Sequence, residues 1–310
     1  MGIVVLGAVF IDIKGRATGS YIPAGRNVGT VEEVHGGVSR NVVEDIANVE
    51  LRPTFVGLVD ESGIGTGVLE KLKNHKVDTR YMRRTPNGLG KWLAVFDGTG
   101  DVVASISKRP DLSEINNILD EQGDEIFKDA DSIALEIDME KETIKRVFKY
   151  AEKYNLKVFA AVSNMSIAVE RRDFLKNVEC FVCNQQEAGI LFMDDYSEKT
   201  PEEMEEILLK KVQGAQIKKM IVTLGGSGAV YADIDGNSGF VSARKVDVKD
   251  TTGAGDSFFA GVTIGLTYGK TMMEACEIGS TLAASVIVTS DNVCPRFLPS
   301  EFGIECPDVN

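Results

Sequence analysis

A carboxylate set directly behind two glycines is an unusual pairing, and Val248-Lys-Asp-Thr-Thr-Gly-Ala-Gly-Asp256-Ser-Phe-Phe-Ala-Gly261 contains one. The stretch reads as a strand end, a tight turn and an apolar helix beginning near Asp256. Gly253 and Gly255 leave their amides open to a bulky anion. The free N–H groups and the positive end of the helix favour negative charge at the same place. Asp256 would repel such an anion, so its presence makes sense if it takes a proton while the amides hold charge developing on a phosphoryl group. The competing reading is a plain helix cap, a role that Asp fills well.

Three further constellations fall where strands give way to helices, the place where open parallel sheets bind ligands. Gly36-Gly37-x-x-x-Asn41 lets backbone approach a ligand and puts an amide side chain at the start of a helix. Asn184-x-x-Glu187 sets an amide and a carboxylate one helical turn apart, able to organise the water shell of Mg²⁺. Thr223-Leu-Gly225-Gly-Ser-Gly228 offers a hydroxyl and open amides suited to a nucleotide phosphate. Taken singly, each also fits a bland turn or cap. Gly265-Leu-Thr-Tyr-Gly269-Lys-Thr271 is no P-loop, because it has three residues between its glycines and follows a helix rather than a strand. Gly63-Ile-Gly-Thr-Gly67 lacks the last glycine of a dinucleotide fingerprint. His35, beside the glycine pair, reads as a turn residue.

The elements that must position these groups alternate. Residues 3–13 read as a first strand ending with Asp12, 14–35 as loop with short strands, 53–59 as a strand and 63–74 as a helix. Residues 92–96 and 102–106 form a hairpin with Gly in the turn Asp97-Gly-Thr-Gly100. Helices are expected over 113–127, 140–154, 168–176, 185–193, 201–216, 256–268 and 271–290. Strands are expected over 131–137, 157–162, 179–183 and 218–224. Such alternation implies βαβ units and a mainly parallel sheet covered on both faces. The expected fold class is α/β: one domain over residues 1–310, with a small β lid built from segments 14–35 and 85–108.

The totals narrow the partners. At 310 residues the chain can bury a large core, and its net charge, 34 − 47 = −13, argues against nucleic-acid polymers and anionic membrane surfaces. No apolar run approaches the roughly 18 residues needed to span a bilayer. With a buried strand at its start and no basic leader, the protein is expected in the cytoplasm. Cys180 and Cys183 make a C-x-x-C on a strand, where positions i and i+3 point to opposite faces and cannot grip one metal together. Buried, reduced thiols are expected there.

Asp250-Thr-Thr-Gly-Ala-Gly-Asp256 resembles the C-terminal signature of the ribokinase-like (PfkB-type) carbohydrate kinases, and the other constellations occur in that family's order over most of the chain. The resemblance implies a three-layer ribokinase-like sandwich and transfer of phosphate from ATP to a hydroxyl. It makes Asp256 the catalytic base and Gly253, Ala254 and Gly255 the anion hole. Asp12, Gly36, Gly37 and Asn41 would hold the acceptor's hydroxyls, Thr223, Gly225, Gly228 and Thr252 would meet ATP, and Asn184 and Glu187 would act on Mg²⁺ through water. A monovalent cation, K⁺, is implied near Asp250 and the 286–295 loop. Val38 stands where ribokinases proper carry Lys. Gly-Gly-Val-x-Arg-Asn, the opening Gly7-Ala-Val-Phe-Ile-Asp12 and Gly236-Asn-Ser-Gly239 are similar to what the family's pseudouridine kinases carry, so pseudouridine is the expected acceptor, with Arg40 reading ribose or base through its fork of donors. Ribose, fructose or adenosine kinases are the alternatives, and a non-catalytic binding protein on the same fold is a third. Two departures stand out: Ala160-Ala161 where many relatives have Asp-Pro, and Cys183 in place of a Pro. The exposed hairpin of the lid offers an edge for a homodimer.

Overall fold

The computed structural model describes residues 2–98 and 102–305. Short runs rich in Val, Ile and Ala, buried on both sides, become the strands of a main sheet. In chain order the strands are β1 (Ile3–Leu6), β2 (Val9–Ala17), β3 (Gly29–Gly36), β4 (Thr54–Val59), β5 (Met82–Arg84), β6 (Leu89–Phe96) and β7 (Val102–Lys108). After them come β8 (Ser132–Glu136), β9 (Lys157–Ala161), β10 (Cys180–Asn184), β11 (Lys219–Thr223), β12 (Gly228–Asp233) and β13 (Ser238–Ser242). The helices are α1 (Val38–Asn48), α2 (Gly63–Asn74), α3 (Glu114–Phe127), α4 (Lys141–Tyr154), α5 (Met165–Ala168), α6 (Gln185–Phe192), α7 (Pro201–Ala215), α8 (Ala254–Thr267) and α9 (Met272–Ile287).

Nine strands form the main sheet in the order β13-β12-β11-β10-β9-β8-β1-β4-β5. It is parallel except at one end, where β12 pairs antiparallel with both β11 and β13. Alternate residues of β1 divide between its faces: Ile3 and Val5 join a core with α1, α2, α8 and α9, while Val4 and Leu6 join one with α3 and α4. Farther along, α5, α6 and α7 cover that second face through Met165, Leu191 and Met204. The result is the three-layer ribokinase-like sandwich, with a separate four-stranded sheet, β3-β2-β6-β7, as the lid.

The structure redraws several boundaries. Residues 3–13 are not one strand: the chain leaves the main sheet after Leu6 and re-enters as β2 of the lid, so Asp12 lies on a lid strand and the lid begins at Val9. The segment 14–35, read as loop with short strands, holds the ends of the antiparallel pair β2–β3, registered from Phe10↔Gly36 to Ala17↔Gly29, with a loop between them. Asn41 does not begin its helix but sits one turn inside α1, its amide donating to the Gly37 carbonyl at 2.9 Å. The helix expected at 168–176 is a single α turn followed by 3₁₀ helix over Val169–Asn177, a run whose Glu-Arg-Arg-Asp has no apolar stripe to bury. Residues 99–101, which include the second half of the expected hairpin turn, lie outside the described residues. Cys180 packs in the core beside Phe258 and Cys183 in the one beside Leu191, on opposite faces of the sheet; both thiols are buried and free. Among the described residues no helix is long and apolar enough to cross a membrane.

Candidate active site

The turn into α8 has a conformation that only glycine adopts readily. Gly253 has φ 84°, and a Cβ there would stand 2.1 Å from the Asn292 carbonyl oxygen. The Ser257 amide donates to the Gly253 carbonyl at 2.9 Å, the first bond of the helix. The amides of Gly255 and Asp256 precede that bond and so have no intrahelical acceptor. The half-buried Asp256 carboxylate accepts from Asn41 Nδ2 at 2.5 Å. Burial, with Asp45 and Glu136 adding like charge, pushes its pKa up to about 7 against the pull of Asn41 and Arg40. That is a much better base than an ordinary carboxylate.

Helix α1 braces this group from behind. Asp45 accepts from Ser257 Oγ at 2.7 Å and from the Cys294 amide at 2.6 Å, tying α1 to α8 and to the loop after α9. Glu136, at the end of β8, accepts from the amides of Ala8 and Ser39, both at 3.1 Å, fixing the passage from main sheet to lid.

Arg40 departs from expectation. It is fully buried, and its donors go to Glu44 at 2.5 Å, the Gly36 and His35 carbonyls, Asn41 Oδ1 and Asn292 Oδ1. Rather than facing an acceptor, it orients Asn41, whose amide then has its nitrogen toward Asp256. An Arg in an i, i+4 relation to Glu44 was the one available sequence signal for this pairing.

Asp12 stands on the lid strand β2, only 8% exposed, and accepts no hydrogen bond from the described residues. Burial raises its pKa, opposed by the charges of Lys14 and Arg40. Gly36 makes room for it: a Cβ there would lie 2.4 Å from the carboxylate. The Asp12 carboxylate oxygens are thus left without protein donors among the described residues.

On a strand Asp12, Lys14 and Arg16 share one face. Lys14 Nζ donates to Thr252 Oγ1 at 3.2 Å and lies 3.5 Å from Asp250, while Arg16 reaches Asp250 at 3.4 Å from above the Phe96 ring. The other Asp250 oxygen accepts from the Thr252 amide and hydroxyl at 2.9 and 2.7 Å. Burial would raise the Asp250 pKa, but the Thr252 bonds and two cations hold it below the usual range. With both oxygens engaged and two positive groups in place, this carboxylate does not fit the expected K⁺. The Thr252 hydroxyl is turned to Asp250 and Lys14, and it is Thr251 rather than Thr252 that lines the cavity described next. Lys14 and Arg16 escaped the sequence reading although the alternation Asp-x-Lys-x-Arg was there to be seen.

A cavity of about 550 Å³ opens at the carboxyl ends of β10 and β11. Asn184, Thr223, Gly225 and Gly228 line it together with Ala254 and Gly255, so the expected nucleotide and anion-hole residues share one space. Val246, Ala283 and Ile287 give it apolar walls suited to a base, and Arg244 and Lys245 bring positive charge. Asn184 and Glu187 form a reciprocal helix cap, each accepting from the other's amide at 2.8 Å. Burial raises the Glu187 pKa, with Asp138 adding like charge. Among the described residues no three His, Cys, Asp or Glu side chains converge on a metal directly. Ala160 and Ala161 are buried in β9 and bring no polar group to the site.

Known proteins agree with this geometry. The profile described as "pfkB family carbohydrate kinase" matches residues 2–296. A guanosine-inosine kinase from Exiguobacterium acetylicum is 35% identical over 295 residues, covering 94% of this chain and 95% of that protein. Pseudouridine kinase from Escherichia coli K12 is 25% identical, covering 84% and 82%. The structure of Arabidopsis thaliana ribokinase with ribose and ATP superposes with a TM-score of 0.80 at 21% identity, over 95% of this chain and 96% of that one. Since the family match runs almost from end to end, the chain belongs to the pfkB carbohydrate kinases, phosphotransferases that act on hydroxyl groups.

Proposed function

We propose that this kinase phosphorylates the 5′-hydroxyl of a nucleoside at the expense of ATP, with purine nucleosides such as guanosine and inosine ahead of pseudouridine. The observation that supports it most is Asp12: a buried, donorless carboxylate on the lid calls for an acceptor rich in hydroxyls, as a ribose is. The order of acceptors follows the relatives, 35% identity to a guanosine-inosine kinase against 25% to a pseudouridine kinase. The sequence motifs had favoured pseudouridine.

Asp12 and Asn41 would hold the ribose hydroxyls, leaving the 5′-hydroxyl beside Asp256. Asp256 accepts its proton, and the Gly255 and Asp256 amides meet the negative charge of the transferring phosphoryl group. Thr223, Gly225 and Gly228 position the nucleotide in the shared cavity. Asn184 and Glu187 suit Mg²⁺ held through water, which when bound neutralises the terminal phosphates. The lid carrying Asp12 keeps water from the phosphoryl group.

The test is ADP release from Mg·ATP with guanosine, inosine, pseudouridine, ribose and fructose. Turnover should be strongest with the purine nucleosides. Preference for free ribose or fructose would sink the nucleoside reading while keeping the kinase.

The raised Asp256 pKa predicts a pH profile. A base works deprotonated, so kcat/KM for the acceptor should be level above about pH 7 and fall tenfold per unit below it. A profile flat down to pH 5 would show that no group with this pKa acts as the base.

A further inference from the structure

Lys14 is 4% exposed, and lysine is rarely buried so deeply unless paired. Its place is fixed from both sides, since β2 pairs with β3 at Lys14↔Glu32 and with β6 at Lys14↔Ala94. Its ammonium meets the two residues that open the signature loop, Thr252 at 3.2 Å and Asp250 at 3.5 Å. Arg16 adds a second cation to the same Asp250 oxygen at 3.4 Å. At the end of α9 two carbonyls near Asp250 are also engaged. Ile287 accepts from the amides of Lys249 and Asp250, and Val286 from the amide and hydroxyl of Thr289. A metal cation at Asp250 would therefore find both carboxylate oxygens engaged and two like charges beside it.

We propose that the lid supplies the cation of the signature loop from within the chain: the Lys14 ammonium stands where a dissociable monovalent cation would bind Asp250, and the enzyme works without one. Lys14 is thus a positioning residue. It holds Asp250 and Thr252, and through them the turn that carries Gly253–Asp256, and it does so only when the lid is seated on that turn. Lid seating and loop order become one event.

The experiment compares wild type with Lys14→Met and Lys14→Gln in chloride salts of K⁺, NH₄⁺ and tetramethylammonium at equal ionic strength. Thermal melting is read first and activity second. Wild-type melting should not distinguish K⁺ from tetramethylammonium, and its kcat should stay within about twofold across the salts. In the variants kcat should fall about 10²-fold through loss of positioning. K⁺ or NH₄⁺, but not tetramethylammonium, should restore part of it and raise the melting temperature. Specific stabilisation or activation of wild type by K⁺ would overturn the proposal, as would variants whose melting and activity ignore the cation. If Lys14→Met does not fold, Lys14→Gln and the wild-type comparison decide. The activity arm rests on the kinase reading, but the melting arm does not, so failure of one is distinguishable from failure of the other.

Discussion

Asp256→Asn should lower kcat by about 10²–10⁴-fold, the usual contribution of a general base, with little change in the KM for ATP. The substitution suits the test because an Asn side chain can still accept the bond that Asn41 Nδ2 gives at 2.5 Å. The same variant should be more stable than wild type at pH 8. The folded-state pKa of Asp256 is about 7 against an ordinary 3.8, so the native protein holds this proton more tightly than the unfolded chain. Ionising it in place therefore costs stability, increasingly from about pH 4 up to about 7 and fully above that. Asn carries no such cost, so its advantage in urea midpoint should shrink as the pH is lowered. Unchanged ATP turnover in this variant would overturn the catalytic assignment. Lost turnover with lower stability at pH 8 would show that the carboxylate is a structural cap.

Arg40→Met should destabilise the fold by about 3–5 kcal/mol, the range found when one partner of a buried pair is removed. Glu44 is fully buried, and it would be left with Lys71, at 2.8 Å and itself partly exposed, and with His75 farther off at 3.8 Å. Urea unfolding would read the loss, and activity per folded molecule should also drop because Asn41 loses the donor that orients it. A variant of normal stability with a raised acceptor KM alone would instead return Arg40 to the substrate-reading role that its motif implies. Both measurements are needed, because the two roles differ in which one moves.

The main sheet was legible because its strands are short apolar runs at regular spacing. What escaped depended on pairing across long separations. Nothing local told that the chain changes sheets after Leu6, since Val4, Val5, Val9 and Ile11 are all apolar and buried. The antiparallel end of the sheet was hidden because β12 and β13 are joined by a tight Asp-Gly turn that reads as loop. Asp45, Glu136 and Asn292 look like surface residues by type, and only tertiary contacts reveal that each one ties a loop to the site. Arg40 was misread for a related reason: a motif tells which residue is present, whereas burial decides whether its donors are free.

The passage from β1 to β2 crosses only two residues, Gly7 and Ala8, so the carboxylate proposed to meet the acceptor stands on the lid itself, a short step from the main sheet. On the proposed reading, engagement of the acceptor by Asp12 would also seat the lid. Such an enzyme should show synergy between its substrates in binding experiments, with the acceptor tightening the nucleotide and the nucleotide the acceptor by the same factor.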